Sequence, residues 1–171
     1  SAGEMRLVAE QLANNGELPA ALPKKPSVAV AEGATLNVSA NESIASLSGA
    51  GTVNIAPLAT LAVGSSDAFT GTFAGAGTVV LSRLAVDSLA SLPAIATPGA
   101  LSFAKTGTLA WAKGAVASDW LVAATAEKGI SGVENLSGWT KVGRTDIRFK
   151  LSADGKSLLA KVGLGLMLIF R

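Results

Sequence analysis

Two periods divide the chain. Met5, Val8, Ala9 and Leu12 fall at i, i+3, i+4 and i+7, a single apolar stripe that predicts a short helix over residues 5–15. Asn14-Asn15-Gly16 supplies the stop, because Asn and Gly accept the left-handed backbone that ends a helix. Pro19, Pro23 and Pro26 then forbid further helix and predict an extended arm. From Ser27 the period drops to two. Val28 and Val30, then Leu36 and Val38, alternate with small or polar residues. Turn-forming clusters of Gly, Ser, Asn and Asp recur roughly every 8–12 residues, the spacing of an all-β domain. Three parts follow: a helix and Pro-rich arm over 1–26, a strand-repeat region over 27–111, and a second β segment over 112–171.

The strand region repeats internally. Leu47-Ser48-Gly49-Ala50-Gly51-Thr52-Val53-Asn54-Ile55 returns 26 residues later as Phe73-Ala74-Gly75-Ala76-Gly77-Thr78-Val79-Val80-Leu81. A looser copy spans Phe103–Trp111. A second motif, Val28-Ala29-Val30 followed by Ala34-Thr35-Leu36-Asn37-Val38, recurs 25 residues on at Val53–Val63. Each unit has an apolar face that it cannot bury alone, and stacking the units buries it. The pattern predicts an all-β fold, a short parallel β-helix (solenoid) with about 25 residues per turn. Gly would stand at bends, Thr and Val on strands, and Ala inside, where coils approach closely. An antiparallel β-sandwich or jelly roll is the alternative.

Beyond the repeat, Trp120, Val122 and Ala124 alternate. Ile147, Phe149 and Leu151 form an apolar face, with Arg148 and Lys150 on the other. Asp154-Gly155 signals a hairpin, Leu158, Ala160 and Val162 supply its returning strand, and Leu166–Phe170 a last one. This reads as an antiparallel sheet with one wet face, placed to cap the coil as Met5–Leu12 would at the other end.

The stretches Ser48-Gly49-Ala50-Gly51-Thr52-Val53 and Thr70–Leu81 resemble the glycine-rich β-strand repeats of bacterial autotransporter passengers and related large surface proteins. The resemblance covers about residues 28–111. It implies an exported, non-catalytic β-solenoid.

Composition narrows the chemistry. The chain of 171 residues has no Cys, His or Tyr. Disulfides, Cys/His zinc sites and histidine bases are therefore excluded. Net charge is +2, but residues 101–171 carry ten basic and five acidic groups. Those charges alternate along strands, which describes a solvated face, so no nucleic-acid partner is expected. No run reaches the ~18 apolar residues of a membrane helix, so the chain is not expected to be transmembrane. Ser102-Phe103-Ala104-Lys105 and Lys105-Thr106-Gly107 spell two motifs of penicilloyl-type serine enzymes, yet they overlap on one predicted strand. Glu32, Asp67, Asp87 and Asp119 are scattered, and Gly49-x-Gly51 lacks the third glycine of a dinucleotide site. Neither a catalytic residue nor a cofactor or metal site is expected. Asn37, Asn41 and Asn135 open glycosylation sequons.

The reading is a non-catalytic structural protein, extracellular or on the cell surface of a bacterium, self-associating as a fibre, matrix or adhesin subunit. Its partner would be itself, through Met5, Val8 and Leu12 at one end and Leu166, Leu168 and Phe170 at the other. The alternative is a carbohydrate-binding module of a secreted protein, in which Trp120 and Trp139 stack on a surface glycan. Trp111 falls at an apolar position of the repeat and belongs to the core.

Overall fold

The computed structural model describes residues 25–86, 93–111 and 119–162. The described residues are nearly all β, and their strands wind into a parallel coil with no closed barrel among them. Short strands β1 (Ser27–Ala29), β2 (Thr35–Val38), β4 (Thr52–Ile55), β6 (Thr72–Gly75) and β8 (Ile95–Thr97) alternate with long ones. The long ones are β3 (Glu42–Gly49), β5 (Thr60–Phe69), β7 (Thr78–Val86) and β9 (Ala100–Trp111). All strands of the repeat pair in parallel, in the orders β1-β3-β5-β7-β9 and β2-β4-β6. Parallel pairing between sequential coils rules out the antiparallel sandwich.

Each coil has three faces. The register slips between Ser46 and Ser48 and again between Leu81 and Arg83, which bends each of those long strands into two limbs. The first limb stacks Leu61, Val79, Leu101 and, in β11 (Ile130–Ser131), Ile130, all buried. Beside it run Ile44, Val63, Leu81 and Phe103. The second limb stacks Val28 on Leu47, then Leu84 on Leu109 and Val86 on Trp111. The third face, formed by the short strands, stacks Leu36, Val53 and Phe73. Alternate residues point outward and carry Thr, Ser and Asn. One such pair, Asn54 and Asn37, is hydrogen-bonded between coils at 3.0 Å.

The turn of the coil is shorter than the sequence repeat. Val28 pairs with Leu47, 19 residues on, Leu61 with Val79, 18 on, and Leu36 with Val53, 17 on. The 26-residue repeat instead relates Thr52–Ile55 on the third face to Thr78–Leu81 on the first limb. It therefore spans one full turn plus one further face. The reason is that the glycine motif encodes a corner, and the coil has more than one. Gly49 and Gly75 have φ of +93° and +80°, and a Cβ on either would overlap the carbonyl oxygen of the preceding coil, that of Val30 or Ile55. The same corner is thus used at two different edges of the cross-section.

Alanine fills little of the interior of these coils, less than expected. Leu, Val and Ile fill most of it, and Ala45, Ala62 and Ala74 lie at outward positions. Inward Ala is found at Ala34 and Ala59, next to turns of the coil, and at Ala123, Ala124, Ala126 and Ala160 in the closing part of the molecule.

The parallel coil continues past Trp111. After β10 (Leu121–Ala126) and β11 come the 3-10 helix η1 (Val133–Gly138) and β12 (Thr140–Val142), and both β11 and β12 pair in parallel with β9. β13 (Ile147–Leu151) and β14 (Ser157–Val162) then form the hairpin predicted at Asp154-Gly155. The Asp154 carboxylate accepts hydrogen bonds from the Ser152 hydroxyl and from Lys156 N, and Gly155 has φ +70°. These bonds, the Ser152 hydroxyl first, hold the Asp154 carboxyl below the usual carboxylate range. The closing sheet has the order β13-β14-β10-β8, with β8 packed beside β6, so it prolongs the third face of the coil. β14 runs antiparallel to both β10 and β13. The helix and arm expected over 1–26, the last strand Leu166–Phe170, and with them Met5, Val8, Leu12, Leu166, Leu168 and Phe170, lie outside the described residues.

Candidate functional site

The outer surface of the closing sheet gathers side chains that the core does not need. Along β14, Leu158, Ala160 and Val162 are buried, so Leu159 and Lys161 face out. Along β13, Ile147 and Phe149 pack on the core, and Arg148 and Lys150 face out. β10 carries a bulge between Val122 and Ala124. The bulge breaks the simple alternation expected there, turning Ala124 inward while Trp120 and Val122 stay outward, 36% and 45% exposed.

Register places these residues in two rows. Val122 lies opposite Leu159, and Leu159 opposite Lys150. Arg148 lies opposite Lys161, and Trp120 immediately precedes Leu121, the first paired residue of β10. The Lys150 ammonium sits 4.3 Å from the centroid of the Trp120 ring, a cation–π contact across the sheet. Among the described residues no carboxylate pairs with Arg148, Lys150 or Lys161. The nearest acid in sequence, Asp146, is held by Arg144 at 2.8 Å, and that hydrogen bond lowers its pKa.

Trp139 is not part of this surface. It is buried, meets Phe103 edge-to-face at 5.8 Å, and donates its indole N–H to the carbonyl of Ala104 at 2.9 Å. The proposed stacking role is corrected for this residue: with ring and N–H both used inside, no face is left for a sugar. Trp111 is in the core as expected.

A cleft of about 430 Å³ opens between η1 and β13. Val133, Leu136, Ile147 and Phe149 line it, with Glu134 and Lys141 among the polar groups at its wall. Ser137 also lines it, its hydroxyl donating to the backbone carbonyl of Glu134 at 2.9 Å.

The other sequence motifs fall in structural places. Ser102 and Lys105 share strand β9 instead of a helix start. Asp67 is bound by Arg83 on the next coil. Among the described residues no group of three or more acidic side chains could hold a metal, and no helix is long and apolar enough to cross a membrane. The sequon asparagines are engaged: Asn37 accepts from Asn54, Asn41 accepts from Thr60 N, and Asn135 donates to the Phe103 carbonyl.

The chain matches none of the protein-family models, curated proteins or solved structures with which it was compared.

Proposed function

We propose that the chain is a non-catalytic structural protein of the bacterial surface, a coil segment that associates with copies of itself into a fibre, matrix or adhesin. One observation carries the structural part: along the first limb apolar columns run from coil to coil, Leu61-Val79-Leu101-Ile130 and Ile44-Val63-Leu81-Phe103, and the outward positions beside them are mostly small or polar. Such a coil works as a stiff spacer whose length scales with the number of turns. Self-association rests on the sequence at the two ends, where Met5, Val8 and Leu12 make one apolar stripe and Leu166, Leu168 and Phe170 another. Strand addition at the edge of β13 is disfavoured, because Arg148 and Lys150 guard that edge. Association would therefore use the end segments. Sedimentation velocity of the full chain over a wide concentration range tests this. Growth into larger species, reduced by deleting residues 1–26, is the expected result; a single monomer boundary throughout would rule it out.

A second reading, sugar binding, is favoured by one observation. Trp120 lies on the outer surface of the closing sheet, 36% exposed, where its ring could stack on the apolar face of a sugar once Lys150 moves off it.

A further inference from the structure

The geometry points to an acidic polysaccharide as the ligand of the outer face of the closing sheet, an inference that rests on the sugar-binding reading and deepens it. The argument begins with an unfavourable pairing. Arg148 and Lys161 are directly opposite each other on neighbouring antiparallel strands. Like charges in that position destabilise a sheet. Lys150 adds a third cation to the same face, and no described carboxylate offsets any of them. An anionic group lying between Arg148 and Lys161 would remove the repulsion, with the guanidinium fork well suited to a planar carboxylate.

Trp120 turns anion binding into sugar binding. Its ring lies against the Lys150 ammonium, and Lys150 is two residues along β13 from Arg148, so a chain lying across this face meets a stacking surface and the cations together. The Lys150 ammonium now occupies the electron-rich face of the ring. A second acidic group would draw Lys150 into an ion pair and leave the indole to the C–H face of a sugar. Val122 and Leu159 extend the apolar strip beside it. Charge complementarity and ring together favour a uronate-type polymer. Nucleic acid draws its affinity from a track of many phosphates, whereas this face offers one cluster of three cations. A membrane surface would need a larger apolar wedge than Trp120, Val122 and the half-buried Leu159 supply.

The test is titration calorimetry of the full chain with polygalacturonate and, in parallel, with the same polymer fully methyl-esterified. The acidic polymer is expected to bind, more weakly as salt rises, and the neutral ester not to bind. Trp120→Ala, and separately the double variant Arg148→Thr/Lys161→Thr, should each weaken binding about tenfold or more. Arg148→Thr alone should leave the melting temperature unchanged or raise it, since it removes a repulsion. Unaltered binding by the double variant, or a melting temperature lowered by Arg148→Thr, would overturn the inference. So would tighter binding of a single-stranded oligonucleotide or of phosphatidylglycerol vesicles, lost in the same variants. Trp120-dependent binding of the ester as tight as that of the acid would overturn the acidic ligand while sparing the sugar-binding reading. Failure of both polymers to bind would remove both.

Discussion

Single residues set the corners of the coil. Gly75 combines a positive φ with a carbonyl oxygen of the preceding coil in the space a Cβ would need. Gly33 has a similar φ of +79° but open space around it. Gly75→Ala should therefore cost roughly 2–3 kcal/mol or more, from strain and overlap together, and Gly33→Ala about 1 kcal/mol from backbone strain alone. Equal losses in denaturant titrations would show that the close approach is not real. Glu42 gives a pH-dependent case. Its Oε1 is sealed from solvent without a hydrogen-bond partner, and burial raises its carboxyl above the ordinary 4.5. The folded state thus holds the Glu42 proton more tightly than the unfolded state does. The resulting stability is fully present below 4.5 and is lost as pH rises through the raised folded value. Glu42→Gln should raise the melting temperature at pH 7, with the gain shrinking as the pH falls through the raised folded value towards 4.5 and levelling off below it. A gain of the same size at pH 3 would contradict desolvation as the cause. Residue roles were unevenly legible. The bends at Gly49 and Gly75 could be read from their motif, but the burial of Trp139 could not. It follows η1 and is fixed by Phe103 and Ala104, more than thirty residues away in sequence.

Elements behave as columns rather than as isolated strands. Leu101 is fully buried between Val79 on one coil and Ile130 on another, so truncation opens a void that both neighbours line. Leu101→Ala should cost about 2–5 kcal/mol. Leu58, at 97% exposure, should tolerate Ala within about 0.5 kcal/mol. Chemical denaturation of the two variants checks the contrast, and comparable destabilisation would place Leu101 outside the core. Period-two alternation was enough to find these strands and their inward faces, and Asp154-Gly155 was enough to find the hairpin. The length of the turn was not legible, because similar corners recur on different faces, so the strongest sequence match relates two corners and not two successive coils. Nor did alternation reveal the bulge after Val122, which decides that Trp120 and Val122 face outward while Ala124 faces in.

At the scale of the molecule, two regions differ in chemistry. The coil interior is a largely aliphatic stack, while the closing sheet carries the partly exposed Trp120 and its neighbouring cations on its outer face. The parallel coil and its closing hairpin were foreseen from repeat and turn chemistry. The cationic cluster was foreseen only as a wet face, since the opposition of Arg148 and Lys161 depends on a register that the sequence does not print. The claim that the protein serves as a self-associating structural element is tested most directly by electron microscopy of the purified full chain at high concentration. The account predicts extended particles that lengthen by end-to-end addition. A field of uniform single particles, unchanged with concentration, would contradict it.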